Sequence, residues 1–322
     1  MINVELVDKK TILTEEILSS ILGTPMSHLQ SPAVISLEDR FRIFFCSRKL
    51  ADSFEGNFVS KLYSIELEKD SFRILKSPAE EIITLGQTGA FDEFGMTPVS
   101  VVSFRNKVHL YYAGWSRAIS VPYTAAIGLA VETDEDSSKF SRMFNGPVIP
   151  YDTTEPFLMG SPRVKYINNK LYMWYVAGTK WDGSLGNPEP TYKIRMAKSD
   201  DGINWIKTSK NLIVDSMNVD ECQAAPEVVA YKNGFLMAYS FRSNLRDDPK
   251  REYQIGLAYS DDLESWATLP AALHSKAFHE NLSGTSYYNL IDDSGGIRVF
   301  YQLPGMGKDG IGTAILKIEG EF

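Results

Sequence analysis

The sequence predicts an all-β fold, a five-bladed β-propeller with four antiparallel strands in each blade. A proline-containing segment recurs every 61 to 66 residues along the 322-residue chain. Each copy is followed by runs of alternating apolar and polar residues, the pattern of half-buried strands. A repeat of this length leaves room for five units and not for six or seven. Outside residues 15–22 helical periodicity is nearly absent, which argues against a βαβ sheet or barrel.

Composition excludes several classes of protein. With 43% hydrophobic and 23% charged residues, the chain has the composition of a globular protein with a large core. The 33 Lys and Arg residues against 41 Asp and Glu residues give a net charge of −8, which argues against nucleic acid or an anionic membrane surface as partner. No segment has the length and apolarity for membrane insertion, and no leader pattern is present. We therefore expect a cytoplasmic protein.

The first two strands of each blade follow from the repeat. Its prolines are spaced 66, 64 and 64 residues apart, and a fifth copy without proline covers residues 286–290. An aromatic residue stands thirteen positions after each proline, at the end of an alternating run. Turn residues separate the two runs, so each unit is predicted to begin with a β-hairpin. The prolines are Pro32, Pro98, Pro162 and Pro226, and the aromatic residues are Phe45, Tyr111, Tyr175 and Tyr239.

The third and fourth strands follow in the same order. Third strands are predicted at residues 61–65, 126–130, 194–197, 254–258 and 310–314. Two of them enter similar turns, at 199–205 and 260–266, in which a serine is followed by aspartates and, six residues on, by tryptophan. We expect one domain over residues 1–322, with blades at about 25–80, 90–150, 155–215, 219–272 and 279–318. Residues 1–20 would supply the outer strand that closes the fifth blade.

Several segments resemble a known group of proteins. Residues 89–95 (GAFDEFG), 155–162 (EPFLMGSP), 171–175 (LYMWY) and 199–205 (SDDGINW) are similar to five-bladed glycoside-hydrolase-like proteins often encoded beside bacterial surface-polysaccharide genes. That group is related to arabinanase, xylosidase and invertase-type glycosidases. The resemblance spans residues 25–318 and implies an active site on the axis, where loops leading into the innermost strands meet.

Those loops carry acids in this chain. Glycosidic hydrolysis needs one protonated carboxyl group and one ionised carboxylate, and mutual repulsion would raise the pKa of one of them. We expect Glu221 to be the proton donor, Glu93 (assisted by Asp92) to be the base or nucleophile, and Glu155 to adjust the charge between them. Glu280 belongs to the same set, whereas the first blade has His28 at this place. For any one of these acids, capping a turn or pairing with a nearby arginine is an equally good interpretation.

The chain departs from the glycosidase pattern at three positions. Arabinanase-like enzymes carry aspartates directly before the prolines of the first and third blades, and a glutamate two residues before the proline of the fourth. This chain has Ser31, Ser161 and Ala224 there. The departure leaves two hypotheses open. One is an enzyme that acts on a glycosidic linkage by hydrolysis, phosphorolysis or glycosyl transfer. The other is a carbohydrate-binding propeller without catalytic activity, acting in polysaccharide assembly.

A second set of residues fits recognition of a sugar. Aromatic rings offer flat apolar faces to pyranose rings, and guanidinium groups bind hydroxyl, carboxylate or phosphate oxygens. The predicted partner is therefore a carbohydrate or another sugar-containing small molecule, which could be anionic or nucleotide-linked. No cofactor and no metal site is predicted, since no Cys/His spacing suits zinc. The set comprises His28, Arg48, Trp115, Arg117, Arg163, Lys193, Arg195, Arg242, Glu280 and Tyr301.

Overall fold

A computed structural model of the chain is nearly all β. It describes residues 3–50, 58–76, 81–133, 139–183, 188–217, 220–243, 253–269, 285–293 and 296–320. Within these residues, twenty strands and two helices are formed. The predicted all-β class with four-stranded antiparallel sheets is confirmed. No described helix is long and apolar enough to cross a membrane.

The strands fall into five antiparallel groups of four. The first group is β2 (Gln30–Ser36), β3 (Arg40–Leu50), β4 (Phe58–Glu68) and β5 (Ile74–Lys76), and the second is β6 (Gly95–Phe104), β7 (Lys107–Arg117), β8 (Tyr123–Glu132) and β9 (Phe140–Arg142). The third is β10 (Met159–Ile167), β11 (Lys170–Asp182), β12 (Glu189–Ser199) and β13 (Ile206–Lys207), and the fourth is β14 (Cys222–Tyr231), β15 (Gly234–Arg242), β16 (Gln254–Ser260) and β17 (Ala267–Thr268). A parallel bridge from Ser60 to Gly95 joins the first two groups into one eight-stranded sheet.

The fifth group combines the two ends of the described chain. It contains β18 (Ser286–Asp293), β19 (Gly296–Gln302), β20 (Ile311–Glu319) and, outermost, β1 (Asn3–Leu13). β1 pairs antiparallel with β20, and its Val4 and Leu6 are buried in the core between the fourth and fifth groups. A sheet completed by both ends of the chain links them without a covalent bond.

Helix α1 (Glu15–Leu22) coincides with the segment of helical periodicity. Its N-cap Thr14 accepts a hydrogen bond from the Ile17 amide at 3.2 Å, and it ends at Gly23, whose φ of 63° is a conformation that glycine adopts without strain. Leu18 on this helix is fully buried. A second, very short helix, α2 (Pro304–Gly307), lies in the connection from β19 to β20.

Five hydrophobic clusters fill the spaces between consecutive groups. Four of the clusters each lie between one group of strands and the next along the chain. The remaining cluster lies between the fifth group and the first. The innermost strands β2, β6, β10, β14 and β18 likewise contact one another in chain order, and β18 contacts β2. The four aromatic residues thirteen positions after the prolines are buried in these clusters. This arrangement is compatible with the predicted propeller.

Every innermost strand has an irregularity at the same place. The register between the first and second strands of each group shifts once, next to the repeated proline segment. In four groups a residue with positive φ lies at the shift: Ser31, Ser161, Ala225 and Tyr287. A β-bulge of this kind turns side chains away from the regular alternation. The repeat in the sequence thus encodes five matching bulges.

Candidate functional site

The five bulges surround a central cavity of about 980 Å³. Its lining includes at least one residue from the bulge of each group: Ser31, Thr97, Ser161, Ala224 and Ser286. All five are small, so the innermost strands leave a wide space between them. The cavity has the size of a site for a small organic ligand.

Aromatic side chains form much of the cavity wall. Phe58 and Trp115 lie together with their ring centroids 5.8 Å apart, and Phe94 packs behind Trp115 at 5.9 Å. Four tyrosines from the second to fifth groups, or from the loops between their strands, complete the wall: Tyr123, Tyr192, Tyr253 and Tyr287. Flat apolar rings with hydroxyl groups at their edges suit a ligand that has both C–H faces and hydroxyl groups.

Two arginines also line the cavity. Arg48 donates from Nε to Gln30 Oε1 at 3.2 Å, and its guanidinium carbon lies 4.5 Å from the centroid of the Phe58 ring. Burial lowers the pKa of Arg48. Arg242 is the last residue of β15 and is only 7% exposed. Neither arginine takes part in an ion pair within the described part of the chain. The described residues therefore leave both charges in the cavity without a carboxylate in direct contact.

Three tyrosines of the wall, Tyr123, Tyr192 and Tyr287, remain protonated at neutral pH. Burial raises the pKa of Tyr123, Tyr192 and Tyr287, and neighbouring phenols reinforce the shift. The hydroxyl groups of Tyr192 and Tyr253 form a hydrogen bond with each other. These phenols can therefore donate hydrogen bonds to a ligand without contributing negative charge.

Glu189 is the carboxylate in the described lining. It begins β12 and is half-buried beside Pro188 and Pro190. Glu189 was not among the predicted acids, and of those Asp92, Glu93, Glu155 and Glu221 do not belong to the described lining. The positions that carry carboxylates in arabinanase-like enzymes do line it, but here they are Ser31, Ser161 and Ala224. The cavity therefore coincides with the site that the resemblance implies, whereas its acids are replaced by small residues.

Asp92 and Glu93 instead form hydrogen bonds with residues of the second group of strands and of the loop before it. Asp92 is almost fully buried, where Oδ2 accepts from Arg142 Nε at 2.7 Å and from the Tyr112 hydroxyl at 3.0 Å. Gly114 leaves room for this contact, since a Cβ atom there would lie 2.6 Å from the Asp92 Cβ. Glu93 accepts from the amide of Gly89 at 3.0 Å and so caps its own loop.

Glu155 is part of a charge cluster in the third group. It is 1% exposed and accepts from the Tyr175 hydroxyl at 2.8 Å. Arg195 Nη1 lies 3.0 Å from Oε1, and Lys207 Nζ lies 2.8 Å from Oε2. Both cations come from the outer half of the group, on β12 and β13. The Glu155 carboxylate thus links its loop to the outer strands. Arg195, which was predicted to bind a ligand, instead forms an ion pair with Glu155.

Glu221 organises the loop before the fourth group. It is fully buried, and Oε2 accepts from the amides of Ser216 and Met217 at 2.9 Å each. Its backbone carbonyl accepts from Lys193 Nζ at 2.7 Å, and Lys193 pairs with Asp215 at 2.5 Å. Burial raises the pKa of Asp215, although Lys193 opposes the shift. The structure does not bring Glu221 together with Glu93 or Glu155 around the cavity.

The remaining predicted ligand-binding residues lie in different places. Arg117 packs against the rings of Phe94 and Trp115, at 5.0 and 5.9 Å from their centroids. Arg163 is buried in an ion pair with Glu227 at 2.8 Å, and Tyr301 packs on Tyr288 in the core. His28 is half-buried, and burial lowers its pKa. Glu280 lies outside the described residues. Of the predicted set, Arg48, Trp115 and Arg242 line the cavity.

Sequence reasoning missed the tyrosines and Glu189. Tyr192 alternates with Lys193 on β12, so the same alternation that placed Lys193 and Arg195 on one face of the sheet places Tyr192 on the other. The pattern could have revealed Tyr192 once the cavity-facing side of the strand was known. Glu189 stands five residues before Ile194 of the predicted third strand, a position that the search for acids before innermost strands did not cover.

The described residues contain no group of three or more His, Cys, Asp or Glu side chains arranged to hold a metal ion. The polar side-chain groups of the described lining are guanidinium, phenol, hydroxyl, amide and indole groups, with one carboxylate. This set suits an organic ligand rich in oxygen atoms.

Comparisons with known proteins give relatives in sequence and in fold. An uncharacterized protein of Mycobacterium tuberculosis is 29% identical over 303 residues, which cover 93% of this chain and 96% of the relative. No protein-family model matches the chain. Among solved structures, a β-1,2-mannobiose phosphorylase from Listeria innocua matches with a TM-score of 0.67 at 12% identity, over 97% of this chain and 96% of that one.

Two further structures extend this result. A structure named glycoside hydrolase matches with a TM-score of 0.65 at 14% identity, covering 96% of both chains. An endo-arabinase from Bacteroides thetaiotaomicron matches with a TM-score of 0.58 at 12% identity, over 92% of this chain and 94% of that one. At these identities the likeness concerns the fold. The chain therefore has the fold of the glycoside-hydrolase-like propeller enzymes, the group that its sequence motifs resemble.

Proposed function

We propose that the five groups of strands are the blades of one five-bladed propeller domain, and that the chain binds a carbohydrate in the central cavity. The observation that carries this proposal is the cavity lining, in which aromatic faces and hydrogen-bond donors occur together around a space of about 980 Å³. The likeness to sugar-active enzymes in fold agrees with it. The location proposed is cytoplasmic, since Cys46 and Cys222 are buried free thiols.

Trp115 provides the test of carbohydrate binding. Its ring is on the cavity wall and packs on Phe58 and Phe94, so it offers the kind of surface on which a pyranose ring stacks. In a thermal-shift screen of mono- and oligosaccharides, we expect at least one sugar to raise the melting temperature. The variant Trp115→Ala should bind that sugar about tenfold more weakly, since about 1.4 kcal/mol corresponds to a factor of ten.

The control for this experiment is Trp205→Phe. Trp205 lies in an outer turn, where its indole donates to the Gly202 carbonyl at 3.1 Å, and it does not belong to the described cavity lining. This variant should keep the affinity of the parent protein. If no sugar binds, or if Trp115→Ala binds as tightly as the parent, carbohydrate binding at this site is wrong.

A second candidate function is cleavage of a glycosidic linkage in the same cavity. Glu189 favours it, because a carboxyl group that lines the cavity can protonate the leaving oxygen. Hydrolysis by the usual two-carboxylate route needs a second acid, which the described lining does not contain. Phosphorolysis needs only the acid, since a phosphate oxygen attacks the anomeric carbon while the glycosidic C–O bond breaks and Glu189 protonates the leaving oxygen.

The assay for this candidate compares water and phosphate as acceptors. We expect any release of reducing sugar or sugar phosphate to fall at least 100-fold in Glu189→Gln, as for the loss of a general acid. The catalytic roles predicted for Asp92, Glu93, Glu155 and Glu221 stay predictions, and Glu221→Gln in the same assay tests the proton-donor role of Glu221. If a sugar binds but is not cleaved with either water or phosphate as acceptor, only the binding function is supported.

A further inference from the structure

Arg242 differs from the other buried cations of the described chain. Arg163 is 1% exposed and pairs with Glu227, while Lys193 is 6% exposed and pairs with Asp215. Arg242 is 7% exposed and has no carboxylate partner among the described residues. Its Nη1 atom has no hydrogen-bond partner, and Nη2 makes one long contact to the Tyr192 hydroxyl at 3.5 Å. A buried guanidinium without a counter-charge is unfavourable unless something else binds it.

Among the described residues, the surroundings of Arg242 are phenols, one of which, Tyr253, is hydrogen-bonded to it, and no acid is in direct contact. Its guanidinium carbon lies 5.5 Å from the centroid of the Tyr253 ring and 6.0 Å from that of Tyr192. Both tyrosines line the same cavity, and their hydroxyl groups are in contact with each other. A guanidinium group beside neutral phenols can supply several donors to a single negatively charged oxygen-bearing group.

Arg48 extends the positive potential across the cavity. It lines the cavity from the first group of strands, whereas Arg242 comes from the fourth, and it also has no ion-pair partner in the described chain. Arg48 and Arg242 face one cavity whose described lining holds a single acid, Glu189. Two such charges make an anionic ligand more favourable than a neutral one.

We propose that Arg242, with Tyr192 and Tyr253, binds the oxyanion of an acidic sugar, either a phosphate or a carboxylate group. This inference rests on the proposed function, because it specifies the carbohydrate that the cavity accepts. The planar guanidinium would bind two oxygens of the anionic group at once, and Nη1 would gain the partner it lacks. The sugar ring would then occupy the space beside the aromatic wall.

The experiment compares matched pairs of ligands. Glucose, galactose and mannose are each tested against the corresponding 6-phosphate and uronic acid, with sodium phosphate alone as a further arm. Binding is measured by thermal shift and calorimetry on the full chain. At least one acidic sugar should bind about 10- to 100-fold more tightly than its neutral counterpart, the range expected for a charge-assisted hydrogen bond. Arg242→Gln should abolish this preference, and added salt should weaken it.

Two further variants keep the result interpretable. Arg242→Lys retains the charge but loses the planar fork, so it should recover only part of the preference. Arg73→Gln removes an arginine that is 65% exposed, pairs with Glu68 and does not belong to the described cavity lining, so it should behave as the parent protein does. Unchanged binding of a neutral sugar to Arg242→Gln would show that this variant is folded. If Arg242→Gln is not folded, Tyr253→Phe takes its place in the comparison, because it removes only one hydrogen-bond donor.

The possible outcomes separate the inference from the proposed function. Equal affinity for acidic and neutral sugars, a preference that survives Arg242→Gln, or no binding of any anionic ligand would overturn the oxyanion site. In the first two cases the cavity still binds sugars and the proposed function stands. A last outcome is that phosphate alone binds as tightly as any sugar phosphate, that its binding depends on Arg242, and that no neutral sugar binds. The oxyanion site then stands with free phosphate as its ligand, and the proposed function fails.

Discussion

The acids and the cations of this protein are distributed in opposite ways between the cavity and the loops around it. In the loops that precede the innermost strands, Asp92, Glu155 and Glu221 are buried and fully engaged in hydrogen bonds. Among the described residues, Arg48 and Arg242 line the cavity without a carboxylate partner, and a single acid lines its wall. An acid close in sequence to a predicted functional position can therefore serve the structure, whereas the proposed ligand site contains a buried cation that no described acid neutralises.

The geometry of the loop acids explains this difference. Asp92 contacts β7 and β9, and Glu155 contacts β11, β12 and β13, so both carboxylates reach outward over their own sheet. The cavity is lined instead by the bulge residues that follow these loops. The acids precede the repeated proline positions by only five to seven residues, yet their side chains point away from the cavity that the bulge residues line.

The largest expected effect comes from breaking a loop acid cluster. Glu155→Ala leaves Arg195 and Lys207 without their shared partner, and we expect the free energy of unfolding to fall by about 3–5 kcal/mol. Denaturant unfolding measures this loss. Sugar binding at a temperature where the variant remains folded should be unchanged, because Glu155 does not line the cavity.

A matched control is Asp39→Ala, since this acid pairs with Arg40 at the surface and is 65% exposed. It should leave the free energy of unfolding nearly unchanged, because an exposed ion pair contributes little. The comparison would be contradicted if Glu155→Ala kept its stability but lost binding or turnover. That result would support the catalytic role predicted from the sequence.

The smallest expected effect concerns His28, where burial lowers the pKa below its usual value. The unfolded chain then takes up a proton before the folded protein does as the pH falls. The stability contributed by neutral His28 is complete above the usual pKa and is lost on acidification through the lower one. Between about pH 7.5 and pH 5.5, His28→Asn should therefore lose less in melting temperature than the parent protein.

Asparagine is the chosen replacement because His28 has a φ of 55°, a conformation that asparagine tolerates better than most residues. The variant is compared with the parent at both pH values, so a uniform loss of stability cancels. An equal response to acidification in the two proteins would show that His28 does not contribute to the pH dependence.

Much of the fold could be predicted because it depends on local patterns. The alternating runs and the turn residues identified the hairpins, and the periodic segment at residues 15–22 matches α1. The turns at 199–205 and 260–266 form as expected, with Asp201 and Asp262 accepting backbone amides at 2.8 Å. Of the predicted ligand-binding residues, Arg48, Trp115 and Arg242 line the cavity. The sequence also showed that the chain lacks glycosidase carboxylates at residues 31, 161 and 224.

What the linear chain alone specified is the repeated unit: its strands, its turns and the position of each bulge, all set by residues close to one another in sequence. The direction in which each acidic side chain points could be found only from the folded molecule, because its partners lie far away along the chain. Arg142 is 50 residues from Asp92, and Arg195 is 40 residues from Glu155. A carboxylate pairs with whichever cation packing brings within reach, and the same packing leaves Arg242 buried without a carboxylate partner among the described residues.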